Sequence, residues 1–305
     1  MLVWLNGEFK AADEASISAA SAGVLAGWGV FTTLGVWAGQ PFAVERHLAR
    51  LRRDAARVHA SIAYDETCLE EALTSVIARN SLRDGMIRLT VTRRSDGRWS
   101  DCHGTDFCIL AKPRRGAAQS HGTGLRLALS PYRIEAQSPL AGIKSTSYLA
   151  SYLARQEAIG RGFDEVVLCN SQGAVCECAH ANLFWARGGK LYTPSLETGC
   201  LPGIAREIIL EWAQEESLDV SEGIFNPGDL ASADEAFVTA ATTGPRCVAA
   251  FYEKSGDSDS VGDNKVECRF LVPGPVTQQL QQRWKKATGE GHEYASGRSG
   301  TEVDG

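Results

Sequence analysis

Residues 1–112 alternate between strand-like and helix-like patterns of apolar positions. The dipeptide Asn6-Gly7 is typical of a hairpin turn, and Ala38-Gly39-Gln40-Pro41 indicates a second turn. Strands are predicted within residues 1–9, 30–44, 85–93 and 105–112, and helices over residues 45–61 and 65–80. In the first helix, apolar residues recur at helical spacing with arginines on the opposite side. This part of the chain therefore reads as a small α/β domain.

A stretch rich in Gly, Arg, Ser and His, residues 113–124, predicts a linker to a second, larger domain over residues 125–288. Strands are predicted there at residues 125–130, 165–170, 174–178, 182–185, 190–192 and 235–240. Helices are predicted from Ser145 to about residue 159, from residue 202 to 216, and over residues 275–286. Residues 254–265 read as a polar loop, and the Gly-, Ser- and charge-rich residues 289–305 as a disordered tail.

Composition and charge narrow the class of protein. The 305 residues are 44% hydrophobic and 22% charged, with a net charge of -6. This balance argues against nucleic acid as the main partner, since phosphate-binding surfaces bring a basic excess. No apolar run reaches the roughly 18 to 20 residues that a membrane span requires, and the N-terminus lacks the pattern of a signal peptide. A cytoplasmic protein without a membrane partner is predicted.

The nine cysteines give no sign of a metal site or of a disulfide framework. Several lie inside apolar, strand-like runs and read as reduced core residues. The pair Cys176 and Cys178 has no second close pair, and the six histidines show no matching spacing. No metal is predicted.

Lys144 is the first candidate for chemistry. It lies between a small apolar run and a predicted helix start, where burial and the positive helix end would both lower its pKa and free the amine for attack on an aldehyde. The alternative is an ordinary lysine that extends to solvent from a helix end.

Glu177 follows Val175 on one face of a predicted strand, so its carboxylate needs a cationic or protonated partner. That partner is either an arginine or the ring nitrogen of a cofactor. Residues 201–206 place Gly203 at a helix start, where backbone N–H groups can bind an anion, and residues 239–244 could form a second anion-binding loop. Arg50 is either a phosphate ligand or a solvated helix arginine.

In chain order these segments resemble the fold-type IV pyridoxal-phosphate (PLP) enzymes, which include branched-chain and D-amino-acid aminotransferases and aminodeoxychorismate lyase. The resemblance extends from Trp4 to about Trp284. The segments that carry it are residues 27–33, 47–51, 143–145, 175–177, 181–184, 203–206 and 239–244. It implies an α/β protein with a small N-terminal domain and a larger C-terminal pseudo-barrel domain that binds PLP. It also implies a homodimer.

The resemblance also implies a role for each cofactor contact. Lys144 would bind the PLP aldehyde covalently and move the substrate Cα proton, and Glu177 would pair with the ring nitrogen. The phosphate would be bound by Arg50 together with the backbone of Gly203 and Ile204 and the loop at Ala241 and Thr242. The family's phosphate-binding threonine falls at Ala241, which leaves the source of the hydroxyl open.

The substrate side is implied in the same way, as Phe31, Thr33, Arg98, Tyr148 and Thr243, with Thr32 close by. Arg98 would bind a substrate carboxylate, or else be an ordinary turn arginine. Ser100 stands where D-amino-acid enzymes have a histidine, which weakens that narrower assignment.

Two reactions remain open. The segment after Lys144 favours an amino-acid aminotransferase acting on an amino acid and a 2-oxo acid. The paired threonines after Phe31 resemble the lyase that releases 4-aminobenzoate and pyruvate. A non-catalytic protein on the same fold is disfavoured because Lys144, Glu177 and Arg50 are all present.

Overall fold

The chain begins with the predicted hairpin. A computed structural model describes residues 1–98, 102–114, 124–254 and 264–290. Strand β1 (Leu2–Leu5) pairs antiparallel with β2 (Glu8–Ala11). Asn6 and Gly7 both have positive φ, the conformation that this two-residue turn requires.

Four more strands extend the hairpin into an antiparallel sheet of six. They are β3 (Gly29–Trp37), β4 (Gln40–Pro41), β5 (Gly85–Arg93) and β6 (Thr105–Pro113), in the order β2-β1-β6-β5-β3-β4. The observed bounds of β5 are the predicted ones.

Helices cover one face of this sheet. They are α2 (Val44–Arg57) and α3 (Glu66–Arg79), and the Asp65 side chain caps α3. The short helix α1 (Ala22–Ala26) instead packs on β5 at Thr92, which lies beside Gly23. Leu48 and Leu51 of α2 are buried in one cluster with Leu89 of β5. In β5, buried residues alternate with half-buried ones, which include Arg88 and Thr90. The sheet therefore has a helix-covered face and a second, polar face.

A nine-stranded mixed sheet forms the rest of the fold. Its strands are β7 (Leu125–Ile134), β8 (Glu165–Asn170), β9 (Val175–Cys178), β10 (Asn182–Arg187), β11 (Lys190–Pro194), β12 (Val220–Gly223), β13 (Glu235–Ala240), β14 (Gly244–Lys254) and β15 (Asn264–Arg269). The order is β12-β11-β10-β13-β14-β7-β8-β9, with β15 paired to β14. Strand β9 at one end contacts β10 and β11 near the other, so the sheet curls into a half-barrel.

The remaining helices are α4 (Leu149–Gly160), α5 (Ile204–Glu215), α6 (Pro227–Ala231) and α7 (Pro275–Thr288), with a 3-10 turn at Leu196–Thr198. Glu235, 2% exposed, accepts hydrogen bonds from the backbone N–H groups of Val276 and Thr277. This buried carboxylate ties the first turn of α7 to β13.

The α/β fold class is confirmed, but some elements differ from the prediction. Strands β12, β14 and β15 and helices α1 and α6 were not predicted. The elements β12, β15, α1 and α6 are short, whereas β14 has eleven residues and follows directly on the predicted anion-binding loop. Most of the predicted linker and tail, at residues 115–123 and 291–305, lies outside the described residues. The two sheets lie on either side of that linker, and the domain boundary itself stays a prediction. Among the described residues, no helix is both long and apolar enough to cross a membrane.

Candidate active site

Lys144 lies on an extended segment beside β3, not at a helix start. Its carbonyl accepts a hydrogen bond from the Phe31 N–H at 2.9 Å, and Thr146 N–H donates to the Gly29 carbonyl at 2.9 Å. Helix α4 begins only at Leu149. The predicted helix from Ser145 is therefore wrong, and with it the predicted contribution of a helix dipole to the reactivity of Lys144.

The surroundings of Lys144 nevertheless favour a free amine. Its Nζ is 4.8 Å from the centre of the Phe31 ring and 5.4 Å from that of Tyr148. Burial lowers the pKa of Lys144 to about 8, and the positive charge of Arg50 adds to this effect. Lys144 is thus poised to act as a nucleophile or base close to neutral pH.

Glu177 is held by two donors on neighbouring segments. Its Oε2 accepts hydrogen bonds from the Leu201 N–H at 3.1 Å and from Asn182 Nδ2 at 3.2 Å. Asn182 Nδ2 also donates to the Leu201 carbonyl at 2.8 Å. Burial outweighs these bonds and the nearby charge of Lys144, and it raises the pKa of Glu177 to about 7. A buried carboxylate of this kind favours a cationic partner.

The start of α5 lies directly against the group that holds Glu177. Gly203 is the N-cap of α5 and Ile204 its first residue. A Cβ at Gly203 would lie 2.1 Å from Asn182 Oδ1, so any larger residue there would require the Asn182 side chain to move. The first N–H groups of this 12-residue helix have no intrahelical acceptor and provide an anion-binding end.

Arg50 is buried beside the start of α5. It is 6% exposed, its Nη2 donates to Thr32 Oγ1 at 2.9 Å, and its Nη1 lies 3.4 Å from the Pro202 carbonyl. Burial lowers the pKa of Arg50 to about 10, a value at which it is still cationic at neutral pH. The alternative of a solvated helix arginine is wrong.

Thr32 joins Arg50 to a second buried residue of α2. Its Oγ1 is 2.7 Å from Nδ1 of His47, which is fully buried. Burial, followed by the charge of Arg50, holds the pKa of His47 well below its usual range, so the imidazole is neutral. Thr32 was predicted near the substrate side. Its side chain instead faces α2 and contacts Arg50, the residue predicted to bind the phosphate.

The turn after β13 contains three more of the predicted site residues. Ala241 and Thr242 were predicted to contact the phosphate, and Thr243 the substrate. A Cβ at Gly35 of β3 would lie 2.7 Å from the Ala241 carbonyl, so this turn packs against the N-terminal sheet. The Thr242 carbonyl accepts a hydrogen bond from Arg114 Nη2 at 3.2 Å, and Thr243 Oγ1 is 3.4 Å from the Gly244 carbonyl.

Thr239 is a candidate for the phosphate-binding hydroxyl that sequence reasoning did not single out. It lies opposite Asn182 across β13 and β10 and is 1% exposed. Its Oγ1 has no hydrogen-bond partner among the described residues. The signal in the sequence was present, because Thr239 is the first of three threonines in the predicted anion-binding loop.

These groups fit PLP. Arg50 Nε and Thr239 Oγ1 are buried polar groups without partners in the described part of the chain, and both could contact a phosphate beside the start of α5. Glu177 could pair with a protonated ring nitrogen, and Lys144 supplies an amine for the aldehyde. No group of three or more His, Cys, Asp or Glu side chains that could hold a metal occurs among the residues described.

The predicted substrate side is assembled in part. Phe31 and Tyr148 stack edge to face, with ring centres 5.5 Å apart, next to Lys144. The Tyr148 hydroxyl donates to the Ala179 carbonyl at 2.5 Å, and burial raises its pKa. Thr33 is half-buried and pairs in register with Arg88 of β5.

Arg88 is a second functional candidate that was not predicted from the sequence. Its guanidinium lies 3.5 Å over the Phe31 ring, and its Nε donates to Thr90 Oγ1 at 3.2 Å. Burial lowers the pKa of Arg88, and its charge in turn lowers the pKa of Lys144. The alternation of β5 was the available signal, since it sets Arg88 on the polar face of the sheet.

Arg98 is not brought to this site. It is exposed, and its backbone N–H donates to Asp96. In the described part of the chain, none of its contacts is with Lys144, Glu177 or Arg50. Ser100 lies outside the described residues.

Comparison with known proteins agrees with this geometry. The family model described as amino-transferase class IV matches residues 29–251, so the chain belongs to that family of PLP-dependent enzymes. The predicted family and fold class are confirmed.

Three similar proteins include examples of both enzyme classes predicted from the sequence, the aminotransferase and the lyase. The chain is 28% identical over 289 residues to a putative branched-chain-amino-acid aminotransferase of Methanocaldococcus jannaschii, covering 93% of this chain and 96% of the relative. It is 28% identical over 246 residues to aminodeoxychorismate lyase of Bacillus subtilis, covering 78% and 82%. It superimposes with a TM-score of 0.82 and 27% identity on the branched-chain aminotransferase of Thermoproteus uzoniensis with norvaline, covering 96% and 97%.

Proposed function

We propose that this class IV enzyme binds PLP at Lys144 and transfers an amino group from an amino acid to a 2-oxo acid. The observation that carries the proposal is the convergence of Lys144, Glu177 and Arg50, which come from three separate segments of the chain. The pKa of each departs from its usual value chiefly through burial. Such perturbed groups cluster at functional sites.

Each residue has a distinct task in this proposal. Bound PLP supplies the electron sink that makes the substrate Cα proton acidic. Glu177 Oε2, fixed by Leu201 and Asn182, holds the proton on the ring nitrogen. Lys144 Nζ would take the proton from substrate Cα and deliver it to the cofactor carbon that receives the amino group, as its pKa of about 8 permits.

The phosphate end is held by charge and oriented dipoles. Arg50, the N–H groups at Gly203 and Ile204, and the Thr239 hydroxyl would surround it, with the turn at Ala241 and Thr242 closing the side toward β3. In this assignment Thr239, rather than the residues of the turn, supplies the hydroxyl.

Arg88 indicates the class of substrate. A half-buried guanidinium beside Lys144 suits a carboxylate, and the neighbouring rings of Phe31 and Tyr148 suit an apolar side chain. The norvaline of the Thermoproteus uzoniensis structure has such a side chain. We therefore propose that one pocket accepts both an apolar amino acid and a dicarboxylic partner such as glutamate, with Arg88 binding the distal carboxylate.

The second candidate is the lyase reaction on 4-amino-4-deoxychorismate. The likeness to the Bacillus subtilis lyase and the paired threonines after Phe31 favour it. Amino transfer is the stronger proposal because the alignment with the Methanocaldococcus jannaschii relative covers more of this chain, and more of the relative, than the alignment with the lyase does.

We further propose a homodimer. Five apolar side chains on α1 and α4 are at least half exposed. The two helices are joined by a hydrogen bond, because Ser147 Oγ, just before α4, donates to the Gly27 carbonyl at the end of α1. The five residues are Val24, Leu25, Leu149, Tyr152 and Leu153. An exposed apolar patch of this kind is typical of a subunit interface. A cytoplasmic location stays a prediction.

One assay separates the two reactions. The purified chain with PLP is incubated with glutamate and a panel of 2-oxo acids, and in parallel with 4-amino-4-deoxychorismate. Chromatography then measures new amino acids and 4-aminobenzoate. Amino acid formation supports the proposal, whereas 4-aminobenzoate alone would favour the lyase.

A further inference from the structure

Asp54 is a buried carboxylate on α2, one helical turn beyond Arg50. It is 1% exposed, and its Oδ2 accepts a hydrogen bond from the backbone N–H of Lys144 at 3.1 Å. Its Oδ1 accepts two hydrogen bonds from Arg53, at 3.1 Å and 2.8 Å. One carboxylate therefore joins α2 to the segment that carries Lys144.

A neutral acceptor would satisfy the Lys144 N–H equally well. Burying a carboxylate costs free energy unless cations offset it, and the side chain of the paired Arg53 is 45% exposed. The hydrogen bond to the Lys144 backbone therefore does not by itself explain why a charged carboxylate is present at Asp54.

The other charges around the Lys144 amine explain the negative charge of Asp54. Two cations face it, Arg50 from α2 and Arg88 from β5, and both disfavour its protonated form. Asp54 on α2 and Glu177 on β9 act in the opposite direction. Tyr148, whose ring centre is 5.4 Å from the amine, is neutral because its pKa is raised. His47 of α2 is neutral because burial lowers its pKa, and the charge of Lys144 lowers it further.

We propose that Asp54 is a positioning residue that anchors the backbone of Lys144 and offsets, at the Lys144 amine, the positive charge of Arg50. The inference rests on the proposed function in assigning Lys144 a proton to carry. A lysine that must take up and release a proton in each cycle has to be able to hold it. With two arginines nearby and a bound pyridinium pairing with Glu177, Asp54 is the carboxylate left to support the protonated form.

The test separates charge from anchoring with two substitutions. Asp54→Asn keeps an oxygen that can accept the Lys144 N–H but removes the charge, whereas Asp54→Ala removes both. Glu211→Gln is the matched control, because it neutralises a carboxylate that pairs with Arg46 of the same helix at the surface. The full-length chain, freed of PLP, is trace-labelled with acetic anhydride across a pH series, and mass spectrometry quantifies Lys144 acetylation.

The wild-type midpoint is expected at a pH of about 8. In Asp54→Asn it should fall by about one pH unit, the scale of one charge removed from a buried neighbourhood, while Glu211→Gln should match wild type. Amide hydrogen exchange at Lys144 should accelerate at least about tenfold in Asp54→Ala and stay near wild type in Asp54→Asn.

A midpoint in Asp54→Asn that stays at the wild-type value, or rises, would overturn the electrostatic role even if Asp54→Ala fails to fold. Exchange at Lys144 that is unchanged in folded Asp54→Ala would overturn the anchor. Reductive trapping of PLP on wild-type Lys144 is scored separately, so failure of the proposed function is distinguishable from failure of this inference.

Discussion

Gly203 and Asn182 lie so close together that a Cβ on the glycine would be 2.1 Å from Asn182 Oδ1. Because Asn182 also donates to Glu177, this contact couples the anion-binding start of α5 to the carboxylate proposed for the ring nitrogen. The two ends of a PLP molecule would thus be held by one packed unit.

Gly203→Ala should therefore weaken PLP binding at both ends of the cofactor, the phosphate and the ring nitrogen. Asn182 has to move to admit the methyl group, and Glu177 loses a donor with it. We expect PLP affinity to fall by about tenfold or more, the effect of about 1.4 kcal/mol. Titration of the apoprotein with PLP measures this. Gly160→Ala, where a Cβ meets nothing within 4 Å, is the control and should bind as wild type.

Thr32→Val should lower PLP affinity without altering Lys144. The valine keeps the shape but leaves Arg50 Nη2 and His47 Nδ1 without their shared partner. Loss of this bond is worth about 1 to 2 kcal/mol, or roughly 5- to 30-fold in affinity. Thr105→Val, which removes a surface hydroxyl bonded to the Ser61 carbonyl, is the matched control. Equal affinities in the two variants would show that Arg50 needs no such support.

Glu177→Gln should stabilise the apoprotein while it impairs turnover. Because the folded-state pKa of Glu177 is raised to about 7, ionisation disfavours the fold as pH rises through the range between its usual value and 7. The free energy of unfolding of the variant should exceed that of wild type by about 2 to 3 kcal/mol at a pH of about 8 and converge with it toward a pH of about 4. Urea unfolding at several pH values tests this. A variant less stable than wild type at high pH would contradict the raised pKa of Glu177.

Arg88→Gln should raise KM for glutamate far more than Arg98→Ala does. The first change removes a charge-assisted contact worth about 2 to 3 kcal/mol, or roughly 30- to 150-fold, with a smaller change in kcat. Arg98 was predicted from the sequence to have this role, but it is exposed and away from Lys144. Steady-state kinetics of both variants decide between the two arginines, and a large effect at Arg98 alone would restore the sequence prediction.

Much of this site could be predicted from the sequence because its residues have recognisable local patterns. The alternation of β5 gave its bounds, the bounds of β13 were also predicted, and Lys144, Glu177 and Arg50 stand in motifs with a known order. Arg88 and Asp54 could not be predicted in the same way. A lone arginine on an alternating strand and an aspartate among helix arginines both look solvent-exposed until tertiary packing places them beside Lys144.

The irregular segment around Lys144 shows a second limit of sequence patterns. Ser145 to Tyr148 read as the first turn of α4, yet their backbone groups pair with β3 and with one another. Such pairing depends on β3, a strand more than a hundred residues away in the chain, and periodicity within a short window carries no information about it.

A single half-reaction tests the proposed amino transfer most directly. The chain carrying PLP is mixed with one amino acid and no 2-oxo acid, and the conversion of PLP to pyridoxamine phosphate is followed by absorbance and chromatography. We expect one equivalent of 2-oxo acid and one of pyridoxamine phosphate per site, and no conversion in Lys144→Ala. Unchanged PLP with every amino acid tested, or conversion at the wild-type rate in Lys144→Ala, would contradict this proposal.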